Sequence, residues 1–566
     1  MKNNRGVVLA LALVILLILL VLTGAFFWGA ISENKSVNAE RGLFQALNLA
    51  EAGANYAQNQ LKQLIPGSLN TYISGDNTYK FKDYYSSNNS LGLLTYYLGF
   101  TTSGCSGACL SFNADAASLA AMFPGSNVQG SYNATVVFTQ NGNPQKITQG
   151  NDERYIFNYN YLIDSTGNII NLSPAVSKRI RMLQGSLSIV VRRDNFAKYA
   201  LFTNHHSMPS GTTVWFTANT NFTGPVSTND RLSFAQNPGA HFSEQAAQHH
   251  NTARFYNNGW PILLDADANA PKDTPVFDQG FERGQEIINL ESSITQAELK
   301  NEALGLMNQP GPEGIYIPND GANLTGGVYV KGNSALIASV NGQGQPVYTI
   351  TQAGSTKALT VNYSANQTTV QSSGPGGGST QTFSGIPDGI SNQGTLIYAD
   401  GMISGFNGTI QKDSAVTVAS QGDIVLNGNI TYQQFNPGPP LNVSGYNNVL
   451  GILSWGGNVR IGASAPNNIQ IHGVVMAPHG VFTVDNYNSG SPRGTATLLG
   501  GAITDFYGPF GTFSGSAAVS GYGRNFVYDA RMLEGTTPPY FPYMKDYTVF
   551  VQWPSTKLKW QEYSGG

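Results

Sequence analysis

Between Arg5 and Glu33 the chain carries no charge, and the run opening at Val7, "VVLALALVILLILLVLTGAFFWGAI", is apolar almost without interruption. A helix rising ~1.5 Å per residue over such a run is long enough for the ~30 Å hydrocarbon core of a bilayer. An ordinary secretory signal has an apolar core of roughly 7–15 residues before a small-residue cleavage site. Here the best such site, Thr23-Gly24-Ala25, is followed by further apolar residues. Lys2 and Arg5 precede the span and Glu33 follows it, which predicts that the bulk of the chain lies outside the cytoplasm. Apolar or small residues then recur at Leu43, Leu47, Ala50, Ala54, Ala57, Leu61 and Leu64, which is helical spacing. Pro66-Gly67 predicts the stop. The result is one helix of ~60 residues and ~90 Å, whose outer half has an apolar stripe beyond the reach of any bilayer.

Past the helix the period shortens. The stretch 67–130 is rich in Tyr, Ser, Asn and Gly and reads as irregular. Strand signals follow in "YNATVVFTQ", "RYIFNYNYLIDSTGNI" and "KRIRMLQGSLSIVVRR", which alternate apolar with polar positions. From Phe196 to about Pro310 short strands are expected, with "FTGPVSTN" as a turn of a β-solenoid. "SEQAAQHHNTARFYNNG" reads as a helical or irregular insert. "SSITQAELKNEALGLM" reads as a helix starting at Ser292 or Ser293, with Ile294, Leu299, Ala303 and Leu306 on one face. After Pro312, short apolar runs separated by Gly and Asn recur, among them "GVYVKG", "AVTVAS", "DIVLNGNITY" and "ATLLGGAIT". Runs this short suit the stacked rungs of a parallel β-helix better than a sandwich, whose strands are usually longer. "QSSGPGGGSTQTFSG" and "NPGPP" read as loops thrown out from the stack.

Gly6 before an apolar helix, followed by "ALNLAEAG", resembles the amino-terminal segment of PilX-type minor pilins of type IV pili and of the related type II secretion pseudopilins. The resemblance implies cleavage by a prepilin peptidase between Gly6 and Val7, with methylation of the new terminus and bundling of helices in a filament core. It would make Leu11 the fifth residue of the mature helix, where major pilins carry a glutamate that tip-capping members lack. "YLIDSTG" with "SKRIRMLQGSLSIVV" is similar to the corresponding pilin strands. "YDARMLEGTTPPYFP", with "GPVSTN" upstream, resembles large pilin-like proteins that join such a helix to a β-helical body. The expected class is an α+β pilin-like part, a long helix plus an antiparallel sheet, followed by an all-β domain, a parallel β-helix. The expected divisions are a leader (1–6), a transmembrane and filament-core helix (7–65) and a pilin-like head (67–195). A connecting β-rich region with helical inserts (196–310), the β-helix (311–545) and an aromatic carboxy-terminal strand or tail (546–566) complete the chain.

Charge narrows the function. Charged residues make up 11% and the net charge is −3, so no basic stripe offers itself to nucleic acid or to anionic lipid. Cys105 and Cys109, the only cysteines, suit a local disulfide in an oxidising compartment better than free thiols. Sugar chemistry wants paired carboxylates, yet no glutamate occurs from Gly314 to Leu533 and the aspartates there are single. Asp400 and Asp423 could meet across adjacent rungs, and Arg460 and Arg493 lie in the same tract, where they could serve such a site or stand as solvated rung edges. His205, His206, His241, His249 and His250 cluster in sequence, but without the His-x-x-x-His spacing of a helical zinc site they read as surface residues. No phosphate-binding loop or nucleophile elbow is present. Trp455, Tyr487 and Tyr507 would suit sugar or protein contacts if exposed, and read equally well as packing residues.

The sequence therefore predicts no catalytic residue, metal or cofactor. The resemblance to minor pilins implies a pilin-like subunit at the filament tip that primes assembly, mediates adhesion, or both. The expected partners are other pilin subunits through the helix, the peptidase, the inner membrane before assembly, and a surface glycan or protein, with no nucleic acid. A pseudopilin capping a periplasmic fibre and a pilin-anchored, polysaccharide-active β-helix protein are the alternatives.

Overall fold

The computed structural model describes residues 5–122, 129–149, 152–169, 175–218, 220–235, 239–257, 260–264, 275–290, 294–434, 447–514, 517–532, 535–553 and 560–563. Ser292, Ser293 and the "NPGPP" segment lie outside them. A long helix, α1 (Arg5–Ser74), opens the chain and is long and apolar enough to cross a membrane. A largely β body follows, and the chain divides into two compact units.

The spacing predicts a stop at Pro66-Gly67, but α1 runs through Pro66 to Ser74. Proline there forfeits one backbone hydrogen bond and costs about 3 kcal/mol. Leu61, Ile65, Leu69 and Ile73 are all essentially fully buried, two of them on each side of the proline. Each such side chain contributes about 1.5–3 kcal/mol, so the extra turns outweigh the penalty. The buried stripe begins at Ala46 and continues through Leu49, Ala50, Ala54 and Ala57, whereas Leu43 is exposed. Small residues let helix and sheet meet backbone to backbone. A Cβ on Gly167 would lie 2.1 Å from the Ala46 carbonyl oxygen.

The first unit comprises 1–147, 154–192 and 547–566. Its sheet is antiparallel, in the order β1 (Ala108–Ala114), β2 (Ser131–Gln140), β4 (Asp152–Ile169), β5 (Val176–Asn195) and then the strand Tyr543–Gln552, with β3 (Gln145–Gln149) also on β4. The register sets Val136 opposite Ile163 and Phe157 opposite Ile189, so the inward row of each strand faces α1. The stretch 67–130 is more regular than its composition predicts. It contains the end of α1, then α2 (Lys80–Ser86), α3 (Ser90–Leu98), β1 and α4 (Ala116–Met122). Asn89 caps α3 by accepting from the Gly92 N–H at 3.0 Å, and Gly99 ends it at φ 68. The carboxy-terminal segment belongs to this sheet rather than trailing from the body. Tyr547 is fully buried, 4.8 Å from Phe81 ring to ring, and the Val549 N–H donates to Asn70 Oδ1 at 2.9 Å.

The second unit holds 193–546, so 196–310 and 311–545 are parts of one body. Among the described residues most of its strands form one mixed sheet, and Ser233–Phe234, Ala253–Asn257 and Trp260–Leu264 form a second, three-stranded one. A parallel ladder aligns Val328, Ile397, Val418, Ile452, Val475 and Ala502 in successive strands. It then continues to Leu201, Val226, Ala246 and Phe281, so the earliest strands stack beyond the latest. A second ladder aligns Gly408, Ile430, Ile471, Leu498, Phe526, Phe222, Phe242 and Phe277. The longest antiparallel stretch is a meander of Ser334–Val340, Pro346–Gln352, Ser355–Asn362, Gln367–Ser373 and Ser379–Ser384. Most of "QSSGPGGGSTQTFSG", predicted as a loop, is two of these strands. "SEQAAQHHNTARFYNNG" likewise contributes the strands Ala246–Gln248 and Ala253–Asn257 instead of a helix. The predicted helix forms as α5 (Gln296–Leu304), capped by Thr295 with Glu298 in a reciprocal capping box, and Leu306 is exposed beyond it.

Replacing Tyr547 with Ala should lower the thermal transition of the first unit by about 3–5 kcal/mol in the detergent-extracted full chain. A loss below about 1 kcal/mol would show that the carboxy-terminal strand is not part of that core.

Candidate functional site

Two features stand apart from ordinary packing, the bare half of α1 and a cleft in the second unit. Val7 to Leu22, then Phe26, Phe27, Trp28 and Ile31, are exposed large apolar side chains on every face of the helix. Val7 and Leu11 are among them, and Gly6 lies in the helix backbone.

The cleft encloses about 570 Å³ and is lined by Trp215, Tyr256, Tyr487, Phe513 and Arg524, with Thr217 and Thr220 among its hydroxyls. Alternation places the first two. In "TTVWFTANT" Val214 and Phe216 point into the core, which turns Trp215 outward, and Phe216 bridges to Phe234 through backbone bonds of 2.8 Å. In Ala253–Asn257 the buried Ala253 and Phe255 likewise leave Tyr256 outside. The Trp215 and Tyr256 rings meet edge to face at 5.5 Å. Tyr487 is held through its carbonyl, which accepts from Ser520 Oγ at 2.7 Å. Gly521, at φ 65, makes the close approach possible, because a Cβ there would lie 2.2 Å from the Phe510 carbonyl oxygen.

Arg524 stands on the strand Ala517–Val527, opposite Ala496. Its guanidinium lies 4.7 Å from the Tyr507 ring centre and 5.1 Å from that of Phe510. Its Nε–H is buried and has no acceptor. Beneath Tyr507 lies His206, 5.1 Å away ring to ring and 2% exposed. Burial pushes the His206 pKa down to about 3, with Arg524 and Arg254 adding to the fall and Asp230 opposing it.

The three aromatic residues that read as either contact or packing residues divide between the two. Trp455 and Tyr507 are buried, and only Tyr487 lines the cleft. The histidines do not converge. His205 stacks on Phe506 at 4.6 Å, His241 meets Asp278 at 2.8 Å, His249 Nδ1 meets the Gln285 carbonyl at 2.7 Å, and His250 lies 3.7 Å from Asp230. Among the described residues no three His, Cys, Asp or Glu are grouped to hold a metal ion. Asp400 binds Lys300 at 2.8 Å and accepts from the Tyr329 hydroxyl at 2.8 Å, while Asp423 binds Arg460 at 2.8 Å. The two carboxylates that could have met are thus held by different partners. Arg493 lies 4.6 Å over the Tyr522 ring and donates to the Gly462 and Ala465 carbonyls, so it is no solvated edge. Cys105 and Cys109 are joined in a disulfide with Cα atoms 6.6 Å apart.

A family model described as a domain of unknown function (DUF4900) matches residues 154–248. The match covers β4, β5 and the chain as far as Gln248, including Trp215 but neither Tyr487 nor Arg524. Its description assigns no activity. No curated protein and no solved structure matches the chain.

His206 makes the body sensitive to acid. Its pKa is about 3 in the fold against 6.5 for the free side chain, so the unfolded chain takes up the proton first. Stability is therefore lost as pH falls from 6.5 toward 3, by at most about 1.4 kcal/mol per pH unit from this group. His206→Phe should flatten the fall in melting temperature between pH 7 and pH 4. An unchanged slope would place the acid sensitivity elsewhere.

Proposed function

We propose that the chain is a minor pilin-type subunit that anchors by α1 and carries its β body outward. We also infer that the parallel ladders are the coils of a β-helix, with the antiparallel meander as an excursion from it. One observation carries the reading: α1 is a single helix with two environments. From Ala46 to Ile73 one stripe is buried against an antiparallel sheet, while the apolar residues from Val7 to Ile31 are covered by none of the described residues. Each large apolar side chain left in water forgoes about 1.5–3 kcal/mol, so so long a bare segment needs a bilayer or other helices around it. A bilayer accounts for about 20 residues of it. Helices of neighbouring subunits can take over the same face after extraction from the membrane, which a simple anchor would not require.

In this reading Gly6–Val7 is the processing site and the inner membrane holds the unassembled subunit with its amino terminus in the cytoplasm. Leu11 bears on position within the fibre. A carboxylate at that place in lipid is costly unless a neighbour pairs with it. A leucine suits a subunit with no neighbour above it, at the tip, where it would prime assembly or touch a surface.

Intact mass of the membrane-extracted protein, with and without an active prepilin peptidase, tests the reading. Loss of residues 1–6 with gain of one methyl group is expected only when the peptidase is present. An unprocessed chain, or cleavage after Ala25, would overturn it.

A further inference from the structure

We propose that the cleft of the second unit binds an acidic saccharide, with Trp215, Tyr256, Tyr487 and Phe513 stacking on its sugar rings and Arg524 pairing with its carboxylate. The outward display argued above bears only on where such a ligand is met, since binding is a property of the body alone.

The first support is the state of Arg524. Two guanidinium groups of this body are committed to carboxylates: Arg460 bridges Asp423 and Asp485 at 2.8 and 2.6 Å, and Arg531 is bound to Asp529. Arg524 faces a cleft whose described lining holds no acidic residue, and its buried Nε–H has no acceptor. A buried unpaired donor costs about 1–3 kcal/mol, which a ligand oxygen would recover. The flat guanidinium is held over two rings and offers parallel N–H groups, the geometry that takes a carboxylate in bidentate fashion.

The second support is the wall. Trp215, Tyr487 and Phe513 are half-buried and Tyr256 is exposed, so their rings are available without unfolding anything. A pyranose presents a C–H face to such rings and hydroxyl groups at its edge, and Thr217 stands at hand for one of those. The volume of about 570 Å³ falls within the ~300–1,000 Å³ usual for small-ligand sites. A single-stranded nucleic acid also stacks on aromatic side chains, but its repeated phosphates call for several cations along a groove. The described lining supplies one arginine and no lysine, which matches one carboxylate.

The test is calorimetric titration of the full chain in non-ionic detergent with three probes: trigalacturonate, its carboxyl-reduced neutral counterpart, and a thymidine dodecanucleotide. The acidic sugar is expected to bind at least tenfold more tightly than the neutral one, and Arg524→Gln should remove that difference. Because Arg524 also packs on Tyr507 and Phe510, Trp215→Ala at the rim provides a second variant; it should weaken the acidic sugar at least tenfold with an unchanged melting temperature. No binding of trigalacturonate, equal binding of the neutral sugar, or indifference to Trp215→Ala would overturn the proposal. Tighter binding of the oligonucleotide, lost in both variants, would overturn it in favour of a nucleic-acid site. Each of these results is independent of whether Gly6–Val7 is cleaved.

Discussion

A parallel ladder imposes one rule on the second unit: each inward side chain is covered only by its counterpart about 4.8 Å away on the next strand. Volumes must therefore match along the stack, and like residues stack on like. Phe222 lies on Phe242 at 5.5 Å and Phe242 on Phe277 at 5.1 Å, each pair nearly parallel. Tyr329 and Tyr398 repeat the arrangement at 6.2 Å. Aromatic pairs of this kind add about 0.5–1.5 kcal/mol beyond their burial, so the stack is selective as well as apolar. α5 lies against the strands Val328–Lys331 and Thr395–Ala399, and it is tied to them by Gln296 on the Tyr398 hydroxyl at 3.1 Å and Lys300 on Asp400 at 2.8 Å.

Charge in this body follows the same rule. Arg460 stands on the strand Val459–Ile461, and Asp423 and Asp485 directly flank the strands paired on its two sides, so their ion pairs reinforce one register more than they add stability, each group being about a quarter exposed. The Arg531–Asp529 pair is buried, and losing either partner would strand a charge. A low content of charged residues is thus compatible with each charge having a defined task. Arg524 is notable in that setting because it faces open space.

How much of this was legible in the sequence depended on whether the cause was local. The long strands β2, β4 and β5 are visible as alternation, as is the outward turn of Trp215 between Val214 and Phe216. The capping box of Thr295 and Glu298 was also there to be read, and it marks the start of α5 better than the serines before it. Pro66 misleads because the local rule is overridden by a stripe of four buried residues that only the sheet reveals. The exposure of Trp455 and Tyr507 could not be judged at all, since short strands with apolar residues on both faces give no alternation to say which side is covered. Tyr547 acts through Phe81, hundreds of positions away, and Arg524 shares its cleft with the equally distant Trp215 and Tyr256, and nothing near either in sequence points to those neighbours.

The stacking order has a consequence for the cleft. Leu201 pairs with Ala502 and Phe222 with Phe526, so one edge of the first strands made finds its neighbour only when the last have been made. Contacts of such sequence separation form slowly, because loop closure is paid before any burial repays it. The cleft lies on that seam. Met208, Trp215 and Tyr256 come from the early part of the body, and Tyr487, Phe513 and Arg524 from the late part. Neither set alone encloses a volume, and the Tyr528 N–H, which donates to Thr223 Oγ1 at 2.8 Å, and the Asn204 amide, which donates to Asp505 at 2.9 Å, hold the two together. The site is therefore absent from any partly folded body and complete only once the stack has closed. A ligand there would bind the closed form alone and by mass action would stabilise that closure.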